Sequence, residues 1–184
     1  MSETRKMRKR KELMEWILSL LIVLAVAFVI RTFVFCTVVV KGVSMEPNFH
    51  HGNIVAVNRF EYIISNPERN DIIVCEYPNS EDNEKIIKRV VGLPGDEIDF
   101  EWDSSGYYHL LLNGEVLEED YIEEKMYYLG DMDFPYTVED GEYFVMGDNR
   151  NDSLDSRYKK VGAIEKSEMV GRVFMSLKPF KKIN

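Results

Sequence analysis

Three groups of residues in this sequence have the types and spacing to do chemistry, and the first is a serine on a bend. Val38-Val39-Val40-Lys41-Gly42-Val43-Ser44-Met45-Glu46-Pro47 runs from β-branched residues into a glycine, a serine and a proline. The valines favour extended backbone. Gly42 frees the chain to turn, while Pro47 fixes its own φ and pushes Glu46 away from helix. Ser44 is therefore expected at a strand end, on a rigid bend, where a hydroxyl can meet a carbonyl carbon. Idle serines populate turns in the same way, so the reading depends on a base within reach.

The second group supplies candidate bases. His50 and His51 follow Ser44 by six and seven residues beside Gly52, and His109 falls in an expected hairpin. Each fits a turn or surface position. Lysine is the alternative, as in Ser-Lys variants of the catalytic triad. Neutralising an amine with a solution pKa of about 10.4 at pH 7 costs roughly 4–5 kcal/mol, and burial among apolar groups can supply that shift. Ile86-Ile87-Lys88-Arg89-Val90-Val91 offers such surroundings. Alternation puts Lys88 with Ile86 and Val90, and Arg89 with Ile87 and Val91. Periodicity does not choose between the two cations, but arginine cannot lose its proton in a protein. The bland alternative is a lysine on the open face of an edge strand.

The third group is Met146-Gly147-Asp148-Asn149-Arg150-Asn151-Asp152-Ser153-Leu154-Asp155-Ser156-Arg157. Its Asp, Asn, Ser and Arg density after a β-run predicts a loop locked by side-chain hydrogen bonds and an Asp–Arg pair. A calcium loop is disfavoured, because the Asp-x-Asp-x-Asp-Gly order and closing glutamate are missing.

The elements that must position these groups divide the chain unevenly. Residues 1–12 hold six Lys/Arg against two acids, whereas from Thr37 onward 16 Lys/Arg face 29 Asp/Glu. An acidic body argues against nucleic acid as a partner. Leu13 to Ile30 is 18 residues, polar only at Glu15 and Ser19. As a helix it would be about 27 Å long, close to a hydrocarbon core of about 30 Å. No small-x-small cleavage site follows, since Arg31-Thr32-Phe33-Val34-Phe35 comes next, so an uncleaved anchor is favoured over a secretory signal. A buried core helix would need a large globule around it. The basic excess before the span places the amino terminus in the cytoplasm and the acidic body outside. Ser44 is 13 residues beyond Arg31, a reach of about 43 Å at most, so it is held near the outer membrane surface.

The body reads as β. Ile54 to Val57, Ile72 to Cys75, Lys85 to Val91, Tyr107 to Leu112, Tyr143 to Met146 and Val170 to Leu177 are apolar runs bounded by turn residues. Turn signals at 103–106 and Asn113-Gly114 predict successive hairpins. Residues 97–142, rich in acids and aromatics, read as an inserted subdomain, with Glu118 to Glu124 as a solvated acidic face. Cys36 and Cys75 give neither a metal-ligand spacing nor a disulfide framework.

Taken together, the apolar span, Gly42-Val43-Ser44-Met45-Glu46-Pro47, Lys88-Arg89-Val90-Val91-Gly92-Leu93-Pro94-Gly95-Asp96, and Gly147-Asp148-Asn149-Arg150 with Ser153, Asp155 and Arg157 resemble bacterial type I signal peptidase over nearly the whole chain. The resemblance implies a mostly β fold of two antiparallel sheets preceded by one transmembrane helix. It implies a cytoplasmic arm at 1–12, an anchor at 13–31 and an extracytoplasmic catalytic domain at 36–184, whose insertion at about 97–142 matches the family's variable second subdomain. The implied activity is cofactor-free and metal-free removal of signal peptides from exported preproteins after small-x-small motifs. Its partners would be those signal peptides, membrane lipid and the secretion translocon.

By the same resemblance Ser44 is the nucleophile and Lys88 the general base. Ser153 orients the lysine amine, and Asp155 with Arg157 forms a structural pair behind the site. The Ser44 backbone N–H donates to the oxyanion, a kind of donor worth about 3–4 kcal/mol. Val40, Met45, Ile86 and Ile87 line the shallow substrate pockets. Two positions depart from the pattern. Gly42 stands where some members have a serine that lends its hydroxyl to the oxyanion hole, and Asn48 stands where threonine is common. Two other readings compete: a self-cleaving Ser-Lys protease of the phage-repressor type, against which the span argues, and an idle homologue acting as an assembly chaperone, against which the presence of Ser44 and Lys88 argues.

Overall fold

The computed structural model describes residues 3–29, 34–77 and 84–183. Helix α1 spans Glu3–Val29, so most of the basic arm is helical and continuous with the apolar run. Its large apolar side chains, among them Leu13, Trp16, Leu20, Leu24 and Phe28, are exposed. Among the described residues no helix is long and apolar enough to cross a membrane. Residues 30 and 31, which would complete the expected anchor, lie outside the described ones.

The rest is mostly β, in two antiparallel sheets. Strands β1 (Phe35–Val39), β2 (Ile54–Asn58), β3 (Ile72–Glu76), β4 (Lys85–Gly92), β9 (Glu142–Met146), β10 (Ile164–Glu165) and β11 (Met169–Lys178) form the larger sheet, in the order β1-β2-β11-β3-β4-β9-β10. Strand β12 (Phe180–Lys182) adds to β11. The smaller sheet, in the order β7-β6-β5-β8, is drawn from β5 (Glu97–Trp102), β6 (Tyr108–Leu112), β7 (Glu115–Val116) and β8 (Tyr136–Thr137). The Asn113-Gly114 turn joins β6 to β7, with both residues at positive φ as a two-residue hairpin requires. A single helical turn, α2 (Glu61–Ile64), follows β2. The sequence pattern does not disclose α2 or the two- and three-residue strands, which are too short to show a period.

Strand β4 is central in every sense that matters for the site. It pairs with β3 on one side and β9 on the other. Ile87 joins the apolar cluster of Val40, Met45, Phe49, Val55 and Val74. Val90 joins that of Ile73, Cys75, Tyr143 and Ile164. Val91 joins the cluster between the two sheets, with Ile98, Leu110, Phe144 and Met146. A strand buried on both faces reads as a near-continuous apolar run. The lysine and arginine within it are thereby taken out of water. Lys88 is not on the open face of an edge strand.

Candidate active site

Ser44 sits on the loop that leaves β1. Val40, buried, continues the strand by donating its N–H to Asn53 O at 2.9 Å and accepting from Gly52 N–H at 2.9 Å. The chain then turns at Gly42, where φ is +86°, a conformation costly for any residue with a Cβ. Met45 and Phe49 are almost wholly buried and pin the far side of the loop. Phe49 N–H donates to Met45 O at 2.8 Å and Glu46 N–H to Val43 O at 3.0 Å. Ser44 is left half-buried between these anchors.

Lys88 arrives from β4, opposite Ile73 of β3. Its side chain is 3% exposed, and 2.8 Å separates Nζ from Ser44 Oγ. Burial pushes the amine below its ordinary pKa. Asp155, Cys75 and Asp148 pull it back toward the charged form, whereas Arg157 adds to the lowering. Desolvation dominates. A base and a hydroxyl at hydrogen-bonding distance form the pair that nucleophilic catalysis needs.

The loop after β9 closes on Ser44 from behind. Asn149 N–H donates to Ser44 O at 3.0 Å. A Cβ on Gly147 would lie 2.5 Å from both Ser44 O and Ser153 Cβ, so only glycine permits this approach. Gly147 N–H donates to Asp155 Oδ2 at 2.9 Å. Arg157 grips the same carboxylate with Nε at 2.8 Å and Nη2 at 2.9 Å. Burial would raise the Asp155 pKa, but Arg157 and the Gly147 N–H outweigh it and hold the carboxyl below its usual range. Ser153 is buried beside this pair. Its Oγ makes no well-aligned hydrogen bond among the described residues, yet it points close enough to the Asp155 carboxylate to help hold that carboxyl down.

Several residues of the site escaped the sequence reading. Arg89, considered only as a rival base, forks onto Asp148 through Nε–Oδ1 and Nη2–Oδ2 contacts of 2.8 Å each. Asn48, noted only as a departure, donates through Nδ2 to Asp148 Oδ2 at 2.9 Å and to Tyr121 O at 2.8 Å. The Tyr121 ring lies 4.0 Å from the Arg89 guanidinium carbon. Arg150, wholly buried, pairs with Glu119 and donates to Gly147 O at 3.0 Å. This corrects the reading of Glu118 to Glu124 as a solvated face. Glu118, Asp120, Glu123 and Glu124 are exposed, but Glu119 and Tyr121 turn inward. A buried guanidinium requires a counter-ion. The loop's density of Asp and Arg was the available signal; its partners Glu119 and Tyr121 had none.

The histidines stand apart from Lys88. His50 Nδ1 lies 3.1 Å from Glu46 Oε1, His109 Nε2 lies 2.9 Å from Asp103 Oδ2, and His51 Nδ1 accepts from Gly42 N–H at 3.2 Å. The carboxylates of Asp148 and Asp155 are taken by guanidinium groups. Among the described residues no cluster of His, Cys, Asp or Glu could hold a metal ion. Cys36 and Cys75 are free thiols.

A cleft of about 730 Å³ opens over the Ser44–Lys88 pair. One wall is Val38, Val40, Lys41 and Met45, the other Glu84, Lys85, Ile86 and Ile87. All four residues expected to line substrate pockets lie on it. Strand β1 is the terminal strand of its sheet, so its outer edge borders the cleft with backbone groups available to an extended peptide.

Residues 13–178 match the family model described as "Signal peptidase, peptidase S26". A signal peptidase I of Bacillus licheniformis is 33% identical over 191 residues, spanning 100% of this chain and 98% of that protein. Signal peptidase I S of Bacillus subtilis (strain 168) is 33% identical over 183 residues, 95% of this chain and 94% of that protein. Signal peptidase IB of Staphylococcus aureus (strain Mu50 / ATCC 700699) is 31% identical over 188 residues, 94% of this chain and 93% of that protein. With its β architecture and a serine and a buried lysine facing one cleft, this chain belongs to the signal peptidase family.

Proposed function

We propose that the protein is a membrane-anchored serine endopeptidase that removes signal peptides from exported preproteins, with Ser44 as nucleophile and Lys88 as general base. The observation that carries this reading is the 2.8 Å approach of Lys88 Nζ to Ser44 Oγ in a cleft, with the amine buried and its pKa lowered. The neutral amine takes the Ser44 proton as Oγ adds to the scissile carbonyl carbon. Ser44 N–H, which makes no hydrogen bond among the described residues, donates to the oxyanion. Collapse expels the amino terminus of the mature protein, which takes the proton from Lys88. Water activated by the same amine then hydrolyses the acyl-serine and releases the signal peptide. Ser153, Asp155 and Arg157 support the lysine from behind, and Ser153 Oγ, which makes no well-aligned hydrogen bond among the described residues, has a bonding capacity to offer the amine.

Val40, Met45, Ile86 and Ile87 line the cleft beside the pair, and in this reading they form the shallow pockets that accept small-x-small cleavage motifs. The anchor is residues 13–31, supported by their composition and by the exposed apolar side chains of α1. In this reading residues 1–12 are cytoplasmic, residues 36–184 are the extracytoplasmic catalytic domain, and the smaller sheet belongs to its inserted subdomain. Lipid and the secretion translocon are then the surroundings in which preproteins arrive. The test is cleavage of a purified preprotein in detergent or liposomes. Wild type should cut after the small-x-small site, and Ser44→Ala and Lys88→Ala should be folded and inactive. Wild type inert on several good preproteins would overturn the reading in favour of an idle homologue. Cutting by Lys88→Ala would put the base elsewhere.

A further inference from the structure

The segment between Val40 and Met45 presents Ser44, yet little packing holds it. Lys41, Gly42 and Val43 are exposed, and beyond its two chain neighbours no atom lies within 4 Å of where a Gly42 Cβ would be. A glycine at positive φ with no neighbours has wide conformational freedom. Besides the Lys88 Nζ–Ser44 Oγ contact, three hydrogen bonds among the described residues restrain the backbone of 42–44. Val43 O accepts from Glu46 N–H, Ser44 O accepts from Asn149 N–H, and Gly42 N–H donates to His51 Nδ1 at 3.2 Å. Of these backbone bonds only the last has a side chain as its partner.

His51 belongs to a turn that is itself firmly attached to the strand end. Gly52 N–H bonds Val40 O and Asn53 O accepts from Val40 N–H. Within the turn, Asn53 N–H donates to His50 O and His50 N–H to Asn53 Oδ1, each at 3.0 Å. The imidazole thus reaches from a turn tied to the strand end to the exposed, positive-φ glycine of the serine loop. An accepting Nδ1 requires the proton on Nε2, so in this arrangement neither ring nitrogen is free to take a proton from Ser44.

We propose that His51 is a positioning residue: by accepting the Gly42 N–H at Nδ1 it fixes the turn that aims Ser44 Oγ at Lys88. The proposal rests on the reading of Ser44 as nucleophile. The bond is exposed, so it contributes little to global stability. Its effect is geometric, and a misplacement of about 1 Å at a reacting atom can cost about 100-fold in rate.

The test compares full-length wild type with His51→Ala, His51→Leu, His51→Asn and His51→Gln. Asparagine carries an acceptor oxygen where the imidazole carries Nδ1, whereas glutamine carries its oxygen one bond further out. His51→Ala and His51→Leu should lower kcat on a preprotein about tenfold, with KM and the thermal midpoint unchanged. His51→Asn should restore kcat, and His51→Gln should not. Since asparagine cannot act as a base, its rescue separates positioning from proton transfer. Asparagine as impaired as alanine, or alanine as active as wild type, would overturn the proposal. Hydrogen exchange at the Gly42 amide, read on the same proteins, needs no turnover. Protection should be lost in His51→Ala and kept in His51→Asn, and equal exchange in all would overturn the tie even if no preprotein were cut.

Discussion

Arg89 and Asp148 meet in a two-pronged buried contact, one residue after Lys88 and one residue before Asn149. Because Asn149 N–H holds Ser44 O, this fork couples the strand carrying the lysine to the loop gripping the serine. The residue that alternation placed opposite Lys88 thus fixes the lysine's strand against the serine's support.

Asp148→Ala leaves the Arg89 guanidinium buried without its carboxylate. Removing one partner of such a pair costs about 3–5 kcal/mol. The expected result is a clearly lower denaturation midpoint together with lost cleavage. Arg89→Lys on its own should lower both as well, because an ammonium cannot reproduce the planar fork. Urea unfolding with a parallel preprotein assay reads both.

Gly147→Ala tests the contact between loop and serine more locally. The added methyl meets Ser44 O and Ser153 Cβ at 2.5 Å, so backbone must shift. Overpacking of this kind costs about 1–3 kcal/mol. Cleavage should fall far more than stability does, since the displaced atom belongs to Ser44 itself. A variant with wild-type kcat would mean that the loop and the serine move independently.

What could be read from the sequence was whatever is local in the chain. The long strands, the 113–114 hairpin and the bend at Gly42 follow from composition within a few residues. Lys88 among isoleucines and valines could be named as a possible base, but its burial depends on β3 and β9 flanking β4, and no window of sequence contains that pairing. The cross-links were illegible for the same reason. Glu119 looks like its neighbours Glu118 and Asp120 until Arg150, 31 residues away, is seen to be wholly buried beside it. Asn48 is a polar turn residue until Asp148 and Tyr121 close on its amide.

That pairing makes the acidic stretch separable residue by residue. Glu119→Ala should destabilise by about 3–5 kcal/mol, because it strands the buried Arg150 guanidinium. Glu123→Ala, a few residues along and exposed, should leave the unfolding midpoint unchanged. Equal effects at the two positions, measured by chemical denaturation, would contradict the inward turn of Glu119.

Lys88 itself should show the clearest conflict between stability and activity. Its folded pKa is depressed by burial. Between that value and the ordinary pKa of about 10.4, the unfolded chain holds a proton that the folded chain has lost. The unfolded state binds more protons there, so wild-type stability rises with pH across the window, by about 1.4 kcal/mol per pH unit where the separation is complete. Below the folded pKa both states are protonated and the penalty is constant. Lys88→Met keeps the volume and removes the buried charge. It should abolish cleavage yet unfold at higher denaturant than wild type near neutral pH, with the gap narrowing as pH approaches 10. Wild-type kcat/KM should climb through the same folded pKa as the amine becomes neutral. A methionine variant less stable than wild type at every pH would mean that the lysine's bond to Ser44 outweighs its desolvation.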